Sequence, residues 1–324
     1  MARFVYRRLR GGIESHVTGL RGVLWLLIVI PAGLLFAGGP GPDAARSLSR
    51  AWDVGHVVAF FAWTALWLRT GTAARMPRRK RWAATLAMCA LVAVLTEGVQ
   101  WLAGRDASVH DASRDMLGGL LALAWLDSAR GHLTPVLRRA GRAGSLVVLG
   151  AALAPLAAAL ADEQLGRLAF PVLADFETPF EADRWEGSAA HAIDPSRASH
   201  GNASLRVELI PADYSGVALV RAPRDWRGYR RLRLEAFNAG TETLEVFGRI
   251  HDGEHDRRGP SYGERYNTAF RLTPGWTALT IDLAAAERGP AARHLDMSDI
   301  RGFMLFVSRL PAPCTIFLDN VRLE

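Results

Sequence analysis

The sequence predicts two domains of different class: an all-α transmembrane bundle of about five helices in residues 1–162 and an all-β jelly-roll sandwich in residues 170–324, joined by a linker at 163–169. Three observations predict it. The 324 residues exceed the ~100–200 usual for one domain. Charge is unevenly divided: residues 1–162 hold 19 Lys+Arg against 9 Asp+Glu, net +10, and residues 163–324 hold 20 against 23, net −3, which together give the +7 of the chain. Apolar patterning changes at the same place, from long uninterrupted runs to short alternations. Half of the residues are hydrophobic, and the two cysteines, Cys89 and Cys314, form no CxxC. A disordered chain, a disulfide scaffold and a fully soluble protein are thereby excluded. A nucleic-acid binder is excluded too, because the arginines sit between apolar runs rather than on one folded basic surface.

A spanning helix needs ~20 largely apolar residues. Leu20–Ala37, Trp52–Leu68, Trp82–Leu102 and Ser145–Ala161 meet this. Leu20–Ala37 is longer than the ~7–15-residue core of a signal peptide and has no clean A-x-A site, so it reads as retained. Met116–Trp125 is too short alone, but extended back to Asp111 it reads as a marginal fourth span, with a re-entrant segment as the alternative. Positive charge orients the bundle: the N-terminal arm and the second and fourth connections carry 15 Lys+Arg, the first and third only 4. The expected protein is therefore multi-pass in a bacterial cytoplasmic membrane, with its N-terminus inside and everything after Ala161 outside.

This topology gathers polar residues at the outer leaflet. His56 falls in the first outer turn of the second span, Glu97 and Gln100 in the last outer turns of the third, Arg105 in the following loop, and Asp111 and Asp115 at the start of the fourth. Ionisable groups in spans are costly and are functional candidates by default. The alternative is an Arg–carboxylate cluster that pins helices together. The run His56, Glu97-x-x-Gln100, Gly104-Arg105, Asp111-x3-Asp115-x2-Gly118 resembles the VanZ-like membrane family, over roughly residues 50–126. Asp115 departs from it, since the family usually has Asn there. The resemblance implies, for the family's namesake, glycopeptide-antibiotic resistance, without a settled reaction.

After Ala161 the patterns are those of strands. Leu205, Val207 and Leu209 alternate with charged residues, as do Leu232, Leu234 and Ala236, and then Leu244, Val246, Gly248 and Ile250. Further strands are expected at Ala218–Arg221, Thr277–Ile281, Phe303–Val307 and Ile316–Val321. Many short strands without long helices between them indicate a sandwich or jelly roll. A saccharide site needs aromatic platforms beside planar hydrogen-bonding groups. Asp252, Tyr262, Arg265, Tyr266 and Asn267, in or beside one long loop, are the densest source. Trp185 and Tyr214 could join them from other loops, whereas Trp226 and Trp276 fit core positions. His251, Asp252, His255 and Asp256 have metal-ligand chemistry in a tract too short and mixed for a transition-metal site.

Asp175-Phe176-Glu177, His200-Gly201-Asn202, Trp226-x2-Tyr229-x2-Leu232, Pro274-Gly275-Trp276 and Phe317-Leu318-Asp319-Asn320-Val321 resemble the galactose-binding-like jelly-roll carbohydrate-binding modules, over about 172–323. The resemblance implies a possible structural calcium joining first and last strands, with Glu177 and Asp319 as its carboxylates; both could instead hydrogen-bond loop backbone. The expected partners are membrane lipids and a glycan or lipid-linked saccharide. Two functions stand side by side. One is an envelope protein whose outer domain binds a surface glycan. The other is a membrane enzyme on a lipid-linked glycan or cell-wall precursor, with Glu97 or the Asp111/Asp115 pair as acid–base and His56 as partner.

Overall fold

The computed structural model describes Gly33 and residues 39–41, 44–102, 109–127, 134–259 and 261–324. The chain divides into two compact units between Ala157 and Ala158. The first unit contains helices α1 (Arg46–Leu68), α2 (Arg78–Leu102) and α3 (Val109–Ala122), the last continued by a π-helical turn at Leu123–Asp127. Helix α4 (Pro135–Ala169) begins in the first unit and ends in the second. Among the described residues, three stretches are long and apolar enough to cross a membrane: Arg46–Leu68, Arg78–Val99 and Pro135–Ala169. The expected segment Leu20–Ala37 lies outside the described residues except for Gly33.

Helix α3, at 14 residues, is too short to be one of the three. It is inserted between α1 and α2 through two adjacent glycines. A Cβ on Gly118 would strike the Val57 carbonyl oxygen of α1, and one on Gly119 would stand 2.6 Å from Cys89 Sγ of α2. Small residues at such crossings let helix backbones approach closely. The exposed large apolar residues lie instead on the longer helices, for example Leu91, Val94 and Leu95 on α2 and Val147, Val148 and Leu153 on α4.

Helix α4 is longer than its apolar stretch predicts. It starts at Pro135, whose fixed φ suits the first helical position, and the Leu137 N–H donates to Thr134 Oγ1 at 3.3 Å as a cap. It stops at Ala169, ahead of Phe170 and Pro171, because a residue that precedes proline is driven out of the helical region. The expected linker 163–169 is thus its last turns. Asp162 looks like linker polarity in the sequence but is buried, and both Nε and Nη2 of Arg184 reach its Oδ1, at 2.9 and 2.8 Å.

The second unit is a sandwich of antiparallel sheets. Its strands are β1 (Val172–Ala174), β2 (Trp185–Gly187), β3 (Ala190–Asp194), β4 (Ser204–Leu209), β5 (Tyr214–Leu219), β6 (Arg231–Asn238), β7 (Leu244–Asp252), β8 (Tyr266–Leu272), β9 (Gly275–Asp282), β10 (Ile300–Ser308) and β11 (Cys314–Leu323). One sheet runs β3-β4-β11-β6-β9, with β1 also on β11; the other runs β2-β5-β10-β7-β8. Period-two alternation delivers the core as expected: Leu205, Val207 and Leu209 from β4 and Leu232, Leu234 and Ala236 from β6 meet Val246 and Ile250 from β7 and Phe303, Leu305 and Val307 from β10.

Candidate functional site

In the helical unit the structure brings together part of the predicted cluster. His56 Nδ1 lies 2.9 Å from Asp115 Oδ1, and both side chains are almost wholly buried, at 4% and 1% exposure. Asp111 lies 2.5 Å from Arg114 Nη1, whose Nη2 is 3.0 Å from Asp53 Oδ2. Arg114 and Asp53 were outside the predicted set, though the charge of each is as visible in the sequence as that of Asp111. Glu97 is half-buried on α2, one turn beyond the buried Ala93. The Gln100 side chain and Arg105 lie outside the described residues. A cavity of about 240 Å³ opens beside Arg50, Asp53 and Arg114, walled by Val57, Leu117 and Pro155; neither His56 nor Asp115 lines it. A second buried charge, Asp127, meets Arg81 at 2.5 Å and accepts from Trp82 Nε1 at 2.6 Å. These contacts tie α1 to α3 and α2 to the end of α3, which is what pinning requires, and the His56–Asp115 pair is sealed from solvent.

The other candidate is the outer face of the five-stranded sheet. On β7, Val246, Gly248 and Ile250 point into the core, so Phe247, Arg249 and His251 point out. Register then sets Phe306 beside Phe247 and opposite Gly216, and Met304 beside Arg249. On the far side Asn267 stands opposite Arg249. Gly216 has no room for a side chain, since a Cβ there would come within 2.5 Å of Phe306 Cβ. Phe306 and Phe247 stack at 5.5 Å and 29°, and Tyr214, 64% exposed, meets Phe306 edge-on at 5.8 Å. The result is an aromatic strip across three strands, open to solvent at the Tyr214 end and bordered by Arg249 and Asn267 at the other.

The cationic end has an unusual balance. Among the described residues neither Arg249 nor Arg265 forms an ion pair, and Arg249 Nε is buried without a hydrogen-bond partner. Burial lowers the Arg249 pKa, and the Arg265 charge lowers it further. Arg265 Nε donates to Asn267 Oδ1 at 3.2 Å, and its guanidinium lies 5.5 Å from the centre of the Tyr262 ring. The His251 ring lies 5.2 Å from that of His255, tilted by 58°. Burial and the Arg249 charge hold His251 at about 3, so its ring is neutral. Asp256, exposed at the rim, reaches to 3.5 Å from His251 Nε2.

Three of the five residues predicted for ligand contact lie at this face. Tyr262 is 74% exposed, and Arg265 and Asn267 border the strip. Two do not. Tyr266 stands opposite the inward Ile250 and packs against the core. Asp252 is fully buried, accepting from Arg293 Nη1 at 2.6 Å, Asp296 N at 2.7 Å and His255 N at 3.0 Å. Burial alone would raise its pKa, but these donors outweigh burial and hold it at about 2. It is a structural anchor beyond reach of a ligand. Sequence reasoning missed Phe247, Phe306 and Arg249; the signal was their place between the buried residues of β7 and β10.

Glu177 and Asp319 grip one loop. Glu177 Oε1 accepts from Asn202 N at 2.6 Å and Ala203 N at 3.2 Å, and Oε2 from Asn202 Nδ2 at 2.8 Å. Asp319 Oδ2 accepts from Ser199 N at 2.7 Å, Ser199 Oγ at 3.0 Å and His200 N at 2.9 Å, and Oδ1 from Asn320 N at 2.7 Å. The Asn202 amide donors pull the Glu177 pKa below its usual value. Calcium requires oxygen ligands, whereas both carboxylates here face N–H and hydroxyl donors, and among the described residues no cluster of three candidate metal ligands forms. These residues do not fit the calcium that the resemblance implied.

Solved structures similar to the chain over its C-terminal half include carbohydrate-binding modules and agarases. The family 11 carbohydrate-binding module from Clostridium thermocellum, in complex with a β-1,3-1,4-mixed-linked tetrasaccharide, has a TM-score of 0.37 and 16% identity, over 47% of this chain and 93% of that one. The CBM22-1 xylan-binding domain of Paenibacillus barcinonensis Xyn10C has a TM-score of 0.34 and 14% identity, over 48% and 92%. An exo-β-agarase has a TM-score of 0.39 and 16% identity, and the match takes in 24% of that enzyme. No family model matches the chain, and no curated protein is similar to it.

Proposed function

We propose that this is a membrane-anchored glycan-binding protein of the bacterial envelope, which holds polysaccharide on the outer face of its five-stranded sheet. The observation that carries the reading is the strip Tyr214–Phe306–Phe247. Apolar sugar faces stack on such rings, and Asn267 and the arginines beside them supply the planar groups that hydroxyls need. The three long apolar helices and the 15-to-4 charge bias support anchoring with the N-terminus in the cytoplasm and the sandwich outside. The sealed His56–Asp115 pair favours a pinning role in the helical unit over acid–base catalysis, which needs access to substrate.

The test is affinity electrophoresis of the full chain in detergent against a panel of neutral and acidic polysaccharides. Retardation by at least one of them, lost in Phe306→Ala, is the expected result. No retardation by any would overturn the reading. For the topology, a periplasm-dependent reporter fused after Glu324 should be active and a cytoplasm-dependent one silent.

A further inference from the structure

We infer that the glycan is acidic, and that Arg249 and Arg265 read its carboxylates at the end of the aromatic strip. The inference rests on the glycan-binding reading and adds the chemical class of ligand.

It starts from charges the fold leaves unbalanced. Several arginines elsewhere in the second unit find carboxylates, among them Arg206 with Glu208 at 2.6 Å, Arg221 with Glu186 at 2.5 Å, Arg293 with Asp252 at 2.6 Å and Arg301 with Asp299 at 2.8 Å. On the outer face of β7 and β8 the pattern breaks. Arg271 stands opposite Glu245, but Arg249 stands opposite Asn267 and Met304, neither of which carries charge. Carried one step further, the same register sets Arg265 opposite the neutral His251. Two guanidinium groups, close enough that the Arg265 charge lowers the Arg249 pKa, are thus left, among the described residues, with only the exposed Asp256 at the rim. Like charges held together at a half-buried position cost stability. An anionic ligand removes that cost on binding, and a planar guanidinium suits a carboxylate in two-point contact.

The position selects the ligand further. The strip delivers a ring stacked on Phe306 and Phe247 directly toward Arg249, so the recognised anion belongs on a sugar of the same chain. Non-specific attraction is a poor explanation, because residues 163–324 are net −3 and the positive charge at this face is local. A polymer that contains uronic acids meets both demands, with apolar ring faces and a carboxylate on each uronic acid.

The experiment compares each acidic polymer with its own carboxyl-reduced form, so that backbone and linkage are unchanged. Polygalacturonate, alginate and hyaluronan are the probes, with mixed-linked β-glucan as the neutral reference, and the full chain in detergent is the binder. At least one acidic polymer should bind about tenfold more tightly than its reduced form, a difference that shrinks at high salt. Arg249→Gln and Arg265→Gln should each bring the acidic polymer to the level of its reduced form. Thermal unfolding confirms that both variants fold. Equal binding of acidic and reduced forms, or a preference for the β-glucan abolished by Phe306→Ala, would overturn the acidic assignment and leave glycan binding standing. No binding of any polymer would overturn both.

Discussion

On the six-stranded sheet Phe317, Phe237 and Trp276 stand side by side on β11, β6 and β9; on the five-stranded sheet Tyr214, Phe306 and Phe247 stand side by side on β5, β10 and β7. The same alternation rule produces both rows. What differs is what lies above them. Arg197 sits over the first, 4.4 Å from the centre of Phe237 and 5.8 Å from that of Phe317, in a cation–π arrangement that closes the surface. Nearby charges on that sheet are paired, Arg206 with Glu208 at 2.6 Å and Arg233 with Glu235 at 3.9 Å. Among the described residues no cation lies over the second row, and Arg249 and Arg265 beside it form no ion pair. An aromatic row on a sheet is therefore not a site by itself; it becomes one when its rings stay open and its neighbours keep their bonding capacity.

The contrast between spent and unspent charge can be tested where the effect is largest. Asp252→Ala takes from Arg293, 14% exposed, one of its two carboxylates and leaves Glu264 at 2.8 Å; loss of one partner of such a pair should cost up to about 3–5 kcal/mol, read as a lowered urea midpoint. Next comes binding. Phe306→Ala should weaken glycan affinity about tenfold or more, equal to ~1.4 kcal/mol or more, while Trp276→Ala, on the covered row, leaves it unchanged. Equal losses in the two variants would break the comparison. Arg249→Gln should act in the opposite sense on stability, raising the thermal midpoint by an amount of about 1 kcal/mol or less, since it removes a charge that nothing balances. A lowered midpoint would show that the arginine is paid for within the fold.

Acid sharpens the same distinction. His251 is depressed from 6.5 to about 3, so the unfolded chain takes up its proton first. Its share of stability is complete above pH 6.5 and falls as the pH drops toward 3. Asp252 is depressed from 3.8 to about 2, and its share is lost between those values. Unfolding midpoints should fall on acidification from pH 6.5, and His251→Gln should flatten the upper part of that slope without changing the lower. The smallest expected effect is that of a chelator: the thermal midpoint should not move, whereas Glu177→Gln should lower it, because N–H donors rather than calcium occupy that carboxylate.

Much of this fold was legible from residue pattern. Leu205, Val207 and Leu209 announced β4, and the apolar run after Trp52 announced α1, because burial imposes a period the chain cannot hide. The short strands β1, β2 and β3 were not legible, since three to five residues carry too little alternation. Trp276, expected in the core, is half-buried on an outer face because β9 begins at Gly275 and sets its register from there. The candidate site was half legible. Tyr262, Arg265 and Asn267 stood out as a polar aromatic loop, but Phe247 and Phe306 lie on separate strands, and only the register between β7 and β10 sets them side by side. Asp252 misled for the opposite reason: a carboxylate in a loop looks available, and only the contacts of Arg293 show that it is occupied.

The clamp between Asp162 and Arg184 bears on where this protein can be cut. Arg184 is buried, donates to the Leu173 carbonyl at 2.7 Å, and lies so near Gly166 that a Cβ there would be 3.3 Å from its Nη2. The final turns of α4 are thus part of the sandwich's own masonry. A soluble fragment that begins at residue 170 discards a wall of that socket and exposes its arginine, whereas one that begins at Ala158 keeps it whole.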